Sequence, residues 1–223
     1  MHPGIHAAAT PDKAAYIMAS SGQVITYSEL NDTSNRGAQL FRSLGLGLGD
    51  NIAIYMENNA AYLQICWAAH RAGLYYTCIS SYLTAEEVAF IVADCEAKVF
   101  ITSQAKEDVA GELTNLMPGV ETHLMVGGTI AGYQSYDHET ARQPSAPIAD
   151  EYEGSDMLYS SGTTGRPKGI KLPIDGAPLG TQRSPIDVLG TVYGANETSI
   201  YLSPAPLYHA APLRFNMGML KKG

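Results

Sequence analysis

Cysteine is scarce in this chain. Cys66, Cys78 and Cys95 are the only three in 223 residues. Their odd number, wide spacing and lack of a Cys-x-x-Cys pair suggest neither a disulfide framework nor a zinc site. A reducing cytoplasm is the expected setting. No apolar run approaches the roughly 18 residues needed to span a bilayer, and the opening "MHPGIHAAATPDKAAY" lacks the charged start and apolar core of a signal peptide. Basic residues are also few: 14 Lys and Arg stand against 22 Asp and Glu, a net charge of −8. That balance argues against a nucleic-acid footprint, which needs a basic stripe. His2, His6, His123 and His138 show no metal-ligand spacing. His70 sits on an apolar helical face, as a core-edge residue would.

What is present fits a folded protein, with 45% hydrophobic and 16% charged residues. The charge is uneven: residues 1–154 carry 7 basic and 18 acidic side chains, whereas residues 155–223 carry 7 and 4. An anionic ligand would be most welcome in the second, positive part.

Residues 26–126 alternate between helical and extended patterns. Thr26 with Glu29, and Thr84 with Glu87, form capping-box spacings ahead of apolar stripes. Glu86 and Glu87 are therefore first-turn helix acids. "NIAIYMEN", "LYYTCIS", "AKVFITS" and "VETHLMVG" suit buried strands, and "NAAYLQICWAAHRAG" and "KEDVAGELTNLM" suit helices. The alternation predicts an α/β fold with layered parallel or mixed sheets flanked by helices. Residues 127–154, rich in Gly, Pro, Ser and acids, predict a long surface connection between a first subdomain, 1–154, and a second, 155–223. In the second, a helix is expected over "SPIDVLGTVYG", a strand over "TSIYLSPAP" and a helix from His209. The apolar run there stops so soon after His209 that its packing partner is expected to be missing.

The densest chemistry is "SSGTTGRPKGIK", residues 160–171, placed between two strand candidates. Gly162, Gly165 and Gly169 let main-chain N–H groups approach a ligand. Ser160, Ser161, Thr163 and Thr164 add hydroxyl donors, and Lys168 adds charge: the parts of an anion nest. The stretch is not a Walker A loop, because Pro167 precedes Lys168 and Gly169 follows it. By composition alone, a phosphate cradle and an ordinary soluble turn both remain open.

The order of residues 159–169, Tyr-Ser-Ser-Gly-Thr-Thr-Gly-Arg-Pro-Lys-Gly, resembles the signature loop of the adenylate-forming superfamily, which includes the acyl-CoA synthetases. "YLSPAPLYHAAP", residues 201–212, resembles that family's strand-to-helix motif, and residues 26–103 have the layout of its N-terminal section. The chain looks closest to bacterial fatty-acyl or steroid-acyl CoA ligases.

The resemblance implies ATP-dependent activation of a carboxylic acid to an acyl-adenylate, then transfer to coenzyme A, with Mg2+ assisting. It implies phosphate contacts from Ser160, Ser161, Gly162, Thr163, Thr164, Gly165 and Lys168, and a substrate-site role for His209, with Tyr208 and Phe215 as weaker candidates. It implies no metal ligand within the chain. Arg166 occupies a position that the family leaves variable. The family's later motifs and its small C-terminal domain lie beyond Gly223, so the chain is expected to be an N-terminal portion without full turnover. Self-association is then expected, as is peripheral membrane contact through a lipid substrate. Two alternatives stay open: an adenylating domain serving a carrier protein, and a non-catalytic nucleotide-binding module.

Overall fold

The computed structural model describes residues 2–160, 167–181 and 192–223. The chain begins with a short helix, α1 (Pro3–Ala9), capped by His2, whose Nδ1 accepts from Gly4 N at 3.1 Å. A small antiparallel hairpin follows, β1 (Ala14–Ile17) with β2 (Val24–Thr26). Alternating units come next: α2 (Tyr27–Ser43), β3 (Asn51–Tyr55), α3 (Ala60–Arg71), β4 (Tyr75–Ile79), α4 (Ala85–Asp94) and β5 (Ala97–Ser103). Then come α5 (Glu107–Leu113), β6 (Thr122–Val126), β7 (Gln134–Ser135), α6 (Tyr136–Ala141), β8 (Ser155–Ser160), β9 (Lys168–Lys171) and α7 (Ala210–Leu220).

Both expected capping boxes are formed, at Thr26 with Glu29 and at Thr84 with Glu87. Each satisfies two of the N–H groups that a helix start leaves unpaired. Among the described residues, seven strands build one sheet in the order β7-β6-β5-β3-β4-β8-β9, parallel throughout except that β9 runs antiparallel to β8. Successive side chains of the central strands point to opposite faces. Ile52, Ile54, Tyr76, Val99 and Ile101 thus join α2, α3 and α7 in one core. Ala53, Tyr55, Tyr75 and Phe100 join α4 and α5 in the other. Strands buried on both faces are continuously apolar, as β3 and β4 are.

Three expectations change. The segment over residues 127–154 is more than a surface connection: it contributes β7 and α6, and buries Tyr133, Tyr136, Ile148 and Glu153. Its last residues strap across α3, with Gly154 N bonded to His70 O at 2.7 Å. A Cβ on Gly154 would stand 2.5 Å from Leu74 O, so only glycine fits this approach. His70 is fully buried, with Nε2 2.5 Å from Glu153. Residues 198–206 form no strand, because among the described residues no neighbouring strand offers them a hydrogen-bond ladder. The run after His209 does find packing partners, since Leu213, Met217 and Leu220 are buried in the core with Tyr27, Leu30 and Leu158. The helix expected over residues 184–194 falls mostly outside the described residues.

Candidate active site

The six parallel strands end along one edge of the sheet, and open α/β sheets bind ligands at such carboxyl edges. β8 carries Ser160 to that edge, and β9 returns from it with Lys168. Register pairs Ser160 directly with Lys168 and Tyr159 with Gly169, so the stretch 160–168 is closed at its base by an antiparallel ladder. Ser160 and Lys168 are both exposed there. Ser161, Gly162, Thr163, Thr164 and Gly165, like Arg166, lie outside the described residues.

The base of this hairpin is tied down at several points. Tyr159 Oη donates to Asp94 Oδ2 at 2.5 Å, fastening β8 to the end of α4. Burial, reinforced by the Asp94 carboxylate, pushes the Tyr159 hydroxyl well above its ordinary range and keeps it a donor. The Tyr159 ring lies across Gly169, where a Cβ would meet its Cζ at 2.9 Å and Met157 Cε at 2.7 Å. Glycine at 169 therefore serves a close approach between strands. Beyond β9, Tyr75 Oη donates to Leu172 O at 2.6 Å and accepts from Ile174 N at 3.1 Å. Its ring also carries the Lys171 ammonium, 4.6 Å from the centroid, a cation–π contact.

α7 brings the second motif to the same edge. Its carboxyl end lies by the start of the chain and of β8: Leu220 O accepts from Tyr27 Oη, and the positive charge of Lys221 acts on Glu153, two residues before β8. Its amino end lies by the end of β3, where Asn58 bonds to Ala205 and Leu207. The helix thus runs counter to β8 and presents His209 at the edge reached by Ser160. His209 is the N-cap residue, exposed, and makes no side-chain capping bond. Its ring packs on Tyr208 at 4.5 Å. Phe215 instead stacks on Tyr201 at 5.8 Å and contacts Tyr193 at 5.3 Å, an aromatic cluster built by residues 193–215.

A cavity of about 430 Å³ lies further along the edge, at the ends of β3, β5 and β6. Glu57 and Asp137 line it, with Asn59, Gln64 and Ser103. Burial acts to raise the Glu57 carboxyl, but hydrogen bonds from Asn59 at 3.0 Å and Ser103 at 2.5 Å outweigh it and hold the group below its ordinary value. An ionised acid there repels polyphosphate, whereas the hairpin mouth offers Lys168. Among the described residues, no group of three or more His, Cys, Asp or Glu could hold a metal ion. Nor is any described helix long and apolar enough to cross a membrane.

The residues that position the motifs escaped the sequence reading: Asn58, Asp94, Asp156 and Arg214. One signal was available. A buried carboxylate inside the apolar strand "SDMLYS" demands a partner, and Arg214 is that partner, 2.8 Å away.

The long-chain-fatty-acid–CoA ligase FadD13 of Mycobacterium tuberculosis (strain ATCC 25618 / H37Rv) is 28% identical over 215 residues, 93% of this chain and 40% of that protein. The crotonobetaine/carnitine–CoA ligase of Escherichia coli (strain K12 / DH10B) is 30% identical over 170 residues, 71% of this chain and 33% of that protein. The chain therefore spans less than half the length of these curated relatives. The inhibitor-bound N-terminal domain of FACL13 from Mycobacterium tuberculosis shares the fold, with a TM-score of 0.78 at 22% identity over 99% of this chain and 54% of that one. A model of the AMP-binding enzyme family matches residues 5–223, and the chain belongs to that family.

Proposed function

We propose that this chain carries the phosphate-binding and acid-facing parts of an AMP-forming acyl-CoA synthetase. A carboxylate oxygen of the acid attacks the α-phosphorus of ATP. The bond to the bridging oxygen breaks, and pyrophosphate leaves with the electron pair. The thiol of coenzyme A then attacks the acyl carbonyl, losing its proton, and AMP departs. The hydrophobic acyl class follows from likeness to FadD13, named a long-chain-fatty-acid–CoA ligase.

One observation carries this reading: a register-locked hairpin and an oppositely running helix deliver Ser160, Lys168 and His209 to one edge of the sheet. Lys168, the Ser160 hydroxyl and the backbone and hydroxyl donors of Ser161, Gly162, Thr163, Thr164 and Gly165 stabilise charge on the departing phosphates. His209 faces the acid carboxylate. The division at residue 154, the aid of Mg2+, a cytoplasmic setting, self-association and peripheral lipid contact belong to the same proposal.

The test is exchange of labelled pyrophosphate into ATP by the complete encoded protein, over a panel of fatty, steroid and aromatic acids. Acid-dependent exchange, followed by thioester formation with coenzyme A, is the expected result. Exchange with no acid in the panel overturns the proposal.

A further inference from the structure

His209 is bracketed by two long-range contacts that its own helix does not provide. Ahead of it, the Asn58 side chain clamps the incoming backbone: Nδ2 donates to Ala205 O at 3.1 Å, and Oδ1 accepts from Leu207 N at 2.9 Å. Behind it, Arg214 forks onto Asp156, with Nε 3.2 Å from both carboxylate oxygens and Nη2 2.8 Å from Oδ2. Asp156 is 2% exposed. Such a carboxylate is tolerated only with a partner, and a bidentate guanidinium fixes direction as well as distance.

Geometry gives these contacts a purpose beyond cohesion. Arg214 lies five residues into the helix from His209, about 7.5 Å along its axis. Asp156 lies four residues before Ser160 on the same face of β8, about 13 Å along the strand. The ion pair therefore sets how far α7 is slid along β8, and so how far His209 stands from the hairpin mouth. The Asn58 clamp sets the direction from which the chain enters the helix. His209 makes no side-chain capping bond, and its ring packs on the adjacent Tyr208, so the placing of both rings is inherited from the Asn58 clamp and the ion pair.

We infer that Asn58 and the Asp156–Arg214 pair are positioning residues that hold His209 in register with Ser160 and Lys168, so that the acid carboxylate meets the α-phosphorus of ATP in line. The inference rests on the adenylation reading above. Misplacement of a reacting group by about 1 Å can cost about 100-fold in rate. Loss of either contact is thus expected chiefly in kcat.

The experiment measures acid-dependent pyrophosphate exchange in the complete encoded protein, carrying Asn58→Ala or Arg214→Gln, each alone and combined with His209→Ala. Emission of Trp67, the single tryptophan, reports folding. If Arg214→Gln fails to fold, the neutral pair Asp156→Asn with Arg214→Gln replaces it. The expected result is a kcat loss of at least about 10-fold for each, KM for ATP nearly unchanged, and partial recovery in Arg214→Lys. In the His209→Ala background the same substitutions add no more than about twofold, because they act through the missing ring. Full additivity in that background overturns the inference and leaves adenylation standing. An exchange rate indifferent to His209→Ala also overturns it. Absence of exchange in the unsubstituted protein overturns the adenylation reading itself.

Discussion

Lys168 opposite Ser160 is the smallest unit of the proposed chemistry, one ammonium and one hydroxyl held side by side by a ladder. Replacing Lys168 with Ala is expected to lower pyrophosphate exchange about 100-fold or more, the scale of losing one preorganised donor to a developing charge. A steady-state comparison at saturating acid checks this. Gly169 supports the same unit from behind. In Gly169→Ala the added methyl would enter the space of the Tyr159 ring and Met157 Cε. Overpacking of this kind costs about 1–3 kcal/mol. Urea unfolding is expected to show a lower midpoint at an unchanged slope. If the midpoint does not move, the close approach between the strands is not there.

Among the elements, α1 depends on an unusual cap. His2 must keep Nδ1 unprotonated to accept from Gly4 N. Burial holds its pKa well below 6.5, aided by the positive charges of Arg71 and Lys221. A histidine held neutral on folding charges more readily in the unfolded chain. Stability from His2 is therefore whole above pH about 6.5 and is lost as pH falls below it. His2→Asn keeps an acceptor at the cap and removes the titration. Its stability is expected to fall less than that of the natural sequence between pH 7.5 and 5, measured by chemical denaturation. Elements of this kind also show why some of the fold was legible in the sequence. Thr26 with Glu29 and Thr84 with Glu87 announce helices because both partners of each box lie within one turn. β1 and β2 are short, and β7 has two residues, so these strands are defined mainly by the neighbours they pair with. The alternation in "TSIYL" looks like a strand for the same reason that it fails to be one, since pattern supplies side chains and not a partner ladder. The hairpin root and His209 were legible as motifs. Asn58, Asp156 and Arg214 were not, because their partners lie 147, 58 and 58 residues away.

At the scale of the whole molecule, the outer surface keeps apolar side chains in view: Ile170 on β9 is 55% exposed, Leu202 75% and Ile200 99%. Among the described residues, β9 also has no strand on its outer side. Exposed apolar groups beside a free edge favour association. Sedimentation of the 223-residue chain is expected to show concentration-dependent oligomers, which Ile170→Lys on the edge strand reduces. A single monomeric species at every concentration would remove this expectation.

The bond from Tyr27 to Leu220 closes a loop of 193 residues, and that from Asn58 to Ala205 one of 147. This has a consequence in time rather than in space. Contacts between residues so distant in sequence must wait for costly chain closure, whereas the turns of α2 and α3 form locally. The candidate site is therefore assembled last as the chain folds, after the sheet that supports it. In pulse-labelled hydrogen exchange during refolding, amides of α2 and α3 are expected to gain protection before those of α7. During synthesis, the proposed register of His209 against the hairpin is set only when the 214th residue has reached the sheet.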